Sequence, residues 1–289
     1  MESAPPPPVA SPPAERAPAG ACDTHIHMLA APDEFPLWEK RVEDPAEGLS
    51  FEDFLARYRA QMETLGIERT VVVHSILYGL DNTVTLRAVE ALGRDKTRAI
   101  GLVPDGADEA ALDRLRDGGA MGIRLNYVHG GVLSFEGAVA LAPMLAAREM
   151  HLQMLVHTDQ HMAELAETIR ALPVPVVIDH IGWPPIDNGA GEEGFKTLCA
   201  LMSEGHAYVK LSGLYRLSRT PYEATDPLVA ALVEANPERC LWGSDFPYVM
   251  LRDAVSPDAG VLLDAFHRVV PEHHRGTILV ENPAALYRF

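Results

Sequence analysis

What most constrains this chain is an alternation. From Ala21 onward, short β-branched or apolar runs are each followed by a longer stretch with helical periodicity. The pattern predicts strands over Ala21–His27, Thr70–Ser75, Thr97–Val103, Gly122–Asn126, Leu152–His157, Val174–Asp179, Ala207–Leu211 and Arg239–Gly243. Helices are expected near 51–65, 82–93, 107–117, 135–149, 160–171, 193–204, 223–235 and 258–269, with a last one near 281–287. Runs such as Val71-Val72-Val73 are apolar without alternation, as parallel strands buried on both faces must be. Eight such strand–helix pairs in roughly 270 residues is the count of an α/β (β/α)8 TIM barrel folded as a single domain. The rival, a doubly wound open sheet, usually carries a Gly-rich phosphate turn after its first strand. Here that strand ends in His25-Ile26-His27.

Two segments fall outside the alternation. Residues 1–20 are Pro/Ala-rich with almost nothing to bury, and read as an extended, disordered lead-in to a barrel over 21–289. Residues 28–50 are Pro- and acid-rich and longer than a usual βα connection, so they are expected over the barrel mouth.

Charge restricts the partners. With Lys+Arg 24 against Asp+Glu 41, the formal net charge is −17. That balance, with no basic run, excludes nucleic acid and anionic membrane as partners and leaves an anionic substrate to a few placed arginines. Three scattered cysteines, Cys22, Cys199 and Cys240, cannot make a disulfide framework and fit a reducing compartment. With no signal-peptide core and no long apolar run, the expectation is a cytoplasmic protein, with a homo-oligomer left open.

Chemistry concentrates at strand ends. His25 and His27, two apart on the first strand, share a face and point into the mouth of a barrel. Two neutral imidazoles side by side suit a divalent metal such as zinc or manganese, or two donors aimed at one oxygen. His157 closes the fifth strand, His180 follows the sixth and Asp245 follows the eighth. A carboxylate among these groups should stay ionised and take a proton from water.

The HxH pair with His157, His180 and Asp245 resembles the amidohydrolase superfamily, and within it the amidohydrolase-2 (amidohydrolase-related) family. Gly79-Leu80-Asp81-Asn82, Gly122-Ile123-Arg124-Leu125-Asn126, Lys210-Leu211-Ser212-Gly213 and Trp242-Gly243-Ser244-Asp245 are similar to the branch of 2-pyrone-4,6-dicarboxylate lactonases and galactarolactone isomerases. The resemblance implies hydrolysis of a small carboxylated lactone at the ring carbonyl, with Asp245, His180, His25 and His27 catalytic. A lactone isomerase or a metal-dependent decarboxylase on the same barrel are the alternatives, and a non-enzymatic binding barrel ranks last. The best-known lactonases of this branch work without metal and lack a ligand after the fifth strand. His157 therefore departs toward members that would hold a divalent ion through His25, His27, His157, His180 and Asp245, and both mechanisms stay open.

Substrate contacts are expected from Arg124 and Asn126 on one face of the fourth strand and from Arg216 after the seventh, since guanidinium forks grip carboxylates. The bland reading of Arg124 is an ion pair within the barrel. Ser75, Tyr78 and Asn82 are further polar candidates, with at most one of His74 and Ser75 facing the mouth. His129 sits on a loop at the active end. His151, His161, His206, His267, His273 and His274 read as solvent-facing.

Overall fold

In the computed structural model, which describes residues 2–251 and 254–289, eight parallel strands lie in one sheet in chain order. They are β1 (Cys22–Ile26), β2 (Arg69–Val73), β3 (Thr97–Gly101), β4 (Ala120–Asn126), β5 (His151–Leu155), β6 (Val176–Ile178), β7 (Ala207–Leu211) and β8 (Cys240–Trp242). The intervening helices are α1 (Phe51–Leu65), α2 (Thr83–Leu92), α3 (Glu109–Asp117), α4 (Phe135–Ala147), α5 (Thr158–Ala171), α6 (Glu193–Ser203), α7 (Asp226–Ala235) and α8 (Ala259–Val269). The chain is thus a (β/α)8 barrel, and every expected strand and helix is present. Side-chain oxygens start several helices where the sequence marks them. Ser50 and Asp53 form a reciprocal capping box on α1, while Asp108, Ser134 and Asp258 cap α3, α4 and α8. Each cap is worth about 1 kcal/mol. Less expected is the end, where α9 (Glu272–Gly276) runs through a π-helical turn (Thr277–Glu281) into α10 (Asn282–Tyr287).

The barrel closes between β1 and the residues just past β8. Asp245 N–H donates to the His25 carbonyl (2.9 Å) and His27 N–H to that of Phe246 (2.7 Å). Ser244 N–H donates to the Asp23 carboxylate (2.9 Å), and the Thr24 hydroxyl to the Trp242 carbonyl (2.8 Å). Gly243 permits this seam, because a Cβ there would stand 2.7 Å from that of His25.

Cys22, Val71, Val73, Ile100, Met121, Val177 and Leu241 form one apolar cluster with Tyr287 of α10. Among them stands a polar group of Gln153, Asp179 and Lys210, all fully buried. Beyond it the mouth opens.

The Pro/Ala-rich lead-in departs from the disorder expected of it. Its residues form almost no regular structure, yet Ala4, Ala10 and Ala17 are buried and its backbone is tied down along the barrel wall. Ser3 bridges Asp44, Ser11 N–H donates to Asp258, Ala14 N–H to Asp264 and Ala17 N–H to the Leu65 carbonyl. Side chains as small as alanine suffice because the segment lies flat on finished helices, where the α8 cap Asp258, Asp264 within α8 and the Leu65 carbonyl accept its amides. No helix among the described residues is long and apolar enough to cross a membrane.

Candidate active site

The mouth holds a cavity of about 950 Å³. Its lining includes His27, Ser75, Arg124, Asn126, His157, His180, Trp183, Arg216 and Asp245. A second chamber of about 890 Å³ adjoins it, bounded by Trp38, Lys40, Arg41 and Glu43 from the 28–50 connection. That connection covers the mouth as its length suggests, anchored by Trp38 N–H on the Leu77 carbonyl and by Glu43 on Met250 N–H.

At the cavity floor, Asp245 faces three imidazoles. Its Oδ1 is 3.7 Å from His25 Nε2 and 3.8 Å from His27 Nε2, and its Oδ2 is 3.8 Å from His180 Nε2. The backbone is bent to do this. Asp245 has φ 67° and His180 φ 52°, left-handed conformations that non-glycine residues adopt at a cost. The two oxygens of Asp245 are treated unequally. Oδ2 accepts from the Tyr215 hydroxyl (2.7 Å) and from Arg216 Nη2 and Nε (3.0 and 3.2 Å). Oδ1 is buried without a hydrogen-bond partner, as is His25 Nε2 opposite it.

Tautomers follow from the partners. The Val73 carbonyl, which can only accept, lies 2.8 Å from His27 Nδ1. Nδ1 therefore carries the proton and Nε2 presents a lone pair to the Asp245 carboxylate. Two electron-rich atoms facing each other across 3.8 Å leave room for a cation, or for a water donating to both. His27 in this state cannot donate to a substrate oxyanion, which removes it from the donors expected there. His180 Nδ1 meets the Ser212 hydroxyl at 2.9 Å, a partner able to give or accept, so His180 can switch tautomer. Gly213 (φ 68°) brings the loop after β7 against His180, where a Cβ would be 2.8 Å from the ring.

Burial sets the charge states. It pushes His25 down, His27 well down and His180 down to about 3, so all three imidazoles are neutral near pH 7. Burial would push Asp245 up, but the polar rings of His180, His25 and His27 and the positive charge of Arg216 outweigh it and hold the carboxyl well below its usual range. Asp179 is likewise held well below its range, burial being outweighed by His25, Lys210 and Arg124. Neutral histidines beside an ionised carboxylate are a donor set suited to one divalent ion, and ligand atoms of His25, His27 and Asp245 lie within 4.8 Å of one another.

Several expected residues are placed differently. His157 lines the cavity on the same inward face of β5 as Gln153 and Leu155, but β5 ends at Leu155. It stands at the start of α5, stacked on Trp183 (5.1 Å between rings), and belongs to neither group of potential metal ligands among the described residues. Arg216, expected to grip substrate, lines the cavity with its fork already taken by Asp245 and by the Val249 and Met250 carbonyls. Tyr78 is buried beneath the 28–50 connection, its hydroxyl accepting from Ala30 N–H. Asn82 ties down Leu102 through both its backbone N–H and its carbonyl. His151 is not solvent-facing. As the first inward residue of β5 it is buried against Tyr287. His161 is half-buried, its Nδ1 accepting from His157 N–H.

Ser75 faces the cavity, while His74 bonds the Gly79 carbonyl. Asn126 and His129 line both chambers. Arg124 is placed where either of its readings could hold. It lines the cavity, and it also stands 3.5 Å from Asp179 with Nε unpartnered. Sequence reasoning passed over Gln153, Lys210, Tyr215 and Trp183, whose indole N–H is unpartnered. A lysine inside the apolar run Ala207–Leu211 was the available signal, since a strand covered on both faces must hide it.

Asp23, beneath the seam, yields a stability test. It accepts from Ser244 Oγ (2.5 Å), Ser244 N–H (2.9 Å) and His25 N–H (3.2 Å). Burial nonetheless pushes its carboxyl up to about 6 from an ordinary 3.8, against the Ser244 bonds. A raised folded value means the stabilisation is complete below about pH 4 and is lost as pH rises through 6, a cost of about 3 kcal/mol at neutrality. In denaturant titrations, Asp23→Asn should gain on the native protein between pH 4 and 7. Parallel stability curves would show that Asp23 does not titrate there.

The profile of the Amidohydro_2 family of amidohydrolases matches residues 22–289. A 4-sulfomuconolactone hydrolase of Rhizobium radiobacter is 36% identical over 280 residues, 93% of this chain and 90% of that one. A 2-pyrone-4,6-dicarboxylate hydrolase of Comamonas testosteroni is 31% identical over 292 residues, 96% and 93% of the two chains. Among solved structures, a probable 2-pyrone-4,6-dicarboxylic acid hydrolase of Acinetobacter baumannii with citric acid bound superposes with a TM-score of 0.81 at 20% identity, covering 93% of this chain and all of the other.

Proposed function

We propose, from the premise that this chain belongs to the amidohydrolase family, that it opens a small lactone bearing an acidic substituent. The observation that carries the reading is Asp245, an ionised carboxylate at the cavity floor with Oδ1 uncommitted among neutral imidazoles. The two curated relatives, both named for lactone hydrolysis, support the same class.

In this reading a water molecule beside Oδ1 gives a proton to Asp245 as its oxygen attacks the ring carbonyl carbon. The ring C–O bond then breaks, and the departing oxygen takes the proton back, so one water is added in all. Tyr215 and Arg216 hold Oδ2, leaving Oδ1 the only oxygen free to act. His180, with Nε2 protonated and Ser212 donating to Nδ1, supplies a hydrogen bond to the developing oxyanion. Arg124 meets the acidic substituent. A divalent ion held by His25, His27 and Asp245 would supply positive charge beside the same oxyanion.

A panel of acidic and neutral lactones, followed by proton release across pH, tests the proposal. Acidic lactones should be opened, with the acid limb of kcat/KM well below the ordinary histidine value of 6.5, because burial keeps the imidazoles neutral. No ring opening anywhere in the panel would refute the lactonase reading. A limb between 6 and 7 would show that an exposed histidine, not Asp245, governs catalysis.

A further inference from the structure

Beneath His25, on the side away from the cavity, lies a second concentration of acceptors. Lys210 Nζ is 2.7 Å from Gln153 Oε1, 2.8 Å from the Thr24 carbonyl, 3.4 Å from His25 Nδ1 and 3.6 Å from Asp179 Oδ1. All five residues are fully buried. Gln153 is oriented by its other end, its Nε2 donating to Asp179 Oδ2 (3.2 Å). Asp179 Oδ1 has His25 Nδ1 at 3.2 Å, in poor line for a hydrogen bond, so the ammonium beside it is its nearest full positive charge. A buried carboxylate without a compensating cation is among the costliest arrangements in a protein.

The pattern differs from a tight ion pair. The short contacts of the ammonium are to two neutral oxygens, and the carboxylate and imidazole stand farther out, so the nitrogen sits at the centre of an N/O donor set. Donors of that kind also suit zinc or manganese. His25 and Asp179, with His180, form the second group whose ligand atoms lie within 4.8 Å of one another. Two of that group's three members already have the ammonium against them.

We propose that the Lys210 ammonium is a tethered substitute for a metal ion, filling a cation position built by Asp179, His25, Gln153 and Thr24. It follows that, of the two groups of potential ligands among the described residues, only the one on the cavity side of His25 is open to a divalent ion, and that removing the ammonium converts the lower position into a divalent-metal site. Lys210 then acts as a positioning residue. It neutralises Asp179 and supports His25 from below without depending on the supply of a second ion. The inference goes beyond the lactone reading and stands or falls independently of it, since it concerns cation content and not turnover.

The test compares the native chain, Lys210→Ala and Lys210→Met after chelation, dialysis against zinc and elemental analysis. Lys210→Ala leaves space for an ion and its water, whereas Lys210→Met keeps the stem and removes only the ammonium. At least the alanine variant should hold one more equivalent of zinc than the native chain, and zinc should raise its Tm as a ligand of the folded state does. Adding Asp179→Asn should abolish the extra equivalent. The proposal is overturned if folded Lys210→Ala binds no more zinc than the native chain, or if the extra zinc survives Asp179→Asn. It is equally overturned if neither lysine variant folds even with zinc present, because the ion should then restore the missing neutralisation. Folding of Lys210→Ala only in the presence of zinc supports it.

Discussion

Replacing Asp245 by Asn should cost at least about 10²-fold in kcat while leaving the fold intact. The expectation rests on what the amide can and cannot do at this position. Its oxygen can take the place of Oδ2, still accepting from Tyr215 and Arg216. Its NH2 then faces the His27 Nε2 lone pair, a better match than the carboxylate oxygen it replaces. The hydrogen bonds are kept while the Arg216 guanidinium loses its counter-charge, and the group no longer takes a proton. Thermal unfolding and single-turnover ring opening together check this. Activity within a few-fold of the native value would exclude Asp245 as the base, and a collapse of Tm would make the residue structural instead.

Arg124→Met should lower kcat/KM for acidic lactones about 30- to 150-fold, mostly through KM, corresponding to a lost charge-assisted contact of roughly 2–3 kcal/mol. At a net charge of −17 the chain repels anions in general, so binding should be concentrated where a cation faces the cavity. Arg216 is taken by Asp245, which leaves Arg124 as the arginine at the cavity floor with an unpartnered guanidinium nitrogen. Its contact with Asp179 provides the rival explanation, loss of an ion pair that steadies the polar group. Neutral lactones separate the two. If they suffer as much as acidic ones, Arg124 works through Asp179 and not through substrate.

Much of the architecture was legible because period and length speak directly. Uniformly apolar runs of four to six residues could only be strands covered on both faces, and the HxH pair was bound to point into a mouth. The parity of β5 was legible too, since His157 does face inward. What could not be read was the height at which each side chain stops. His157 lies two residues above the end of β5, where it lines the cavity outside both groups of potential metal ligands among the described residues. The buried lysine was hidden for a related reason: its stem passes for apolar, and only the neighbouring strands reveal what meets its charge. Tyr78 illustrates a third gap. Nothing local shows that residues 28–50 will descend on it and take its hydroxyl. Composition also gave no sign of how the lead-in meets the barrel, because its contacts run through amide donors and not through large side chains.

The seam between β1 and the residues after β8 also sets the order in which the protein can become an enzyme. Ser244 and Asp23 meet across 221 positions of chain, so a nascent polypeptide carries His25 and His27 through nearly all of its synthesis beside an unfilled strand edge. Seven strands can pair in sequence as they emerge, but the carboxylate arrives only with the eighth, on a three-residue strand whose docking both shuts the barrel and completes the floor of the cavity. Assembly of the cylinder and acquisition of chemistry are thus one late event. In the proposed reaction, the carboxylate that acts as base joins His25 and His27 only when the cylinder shuts.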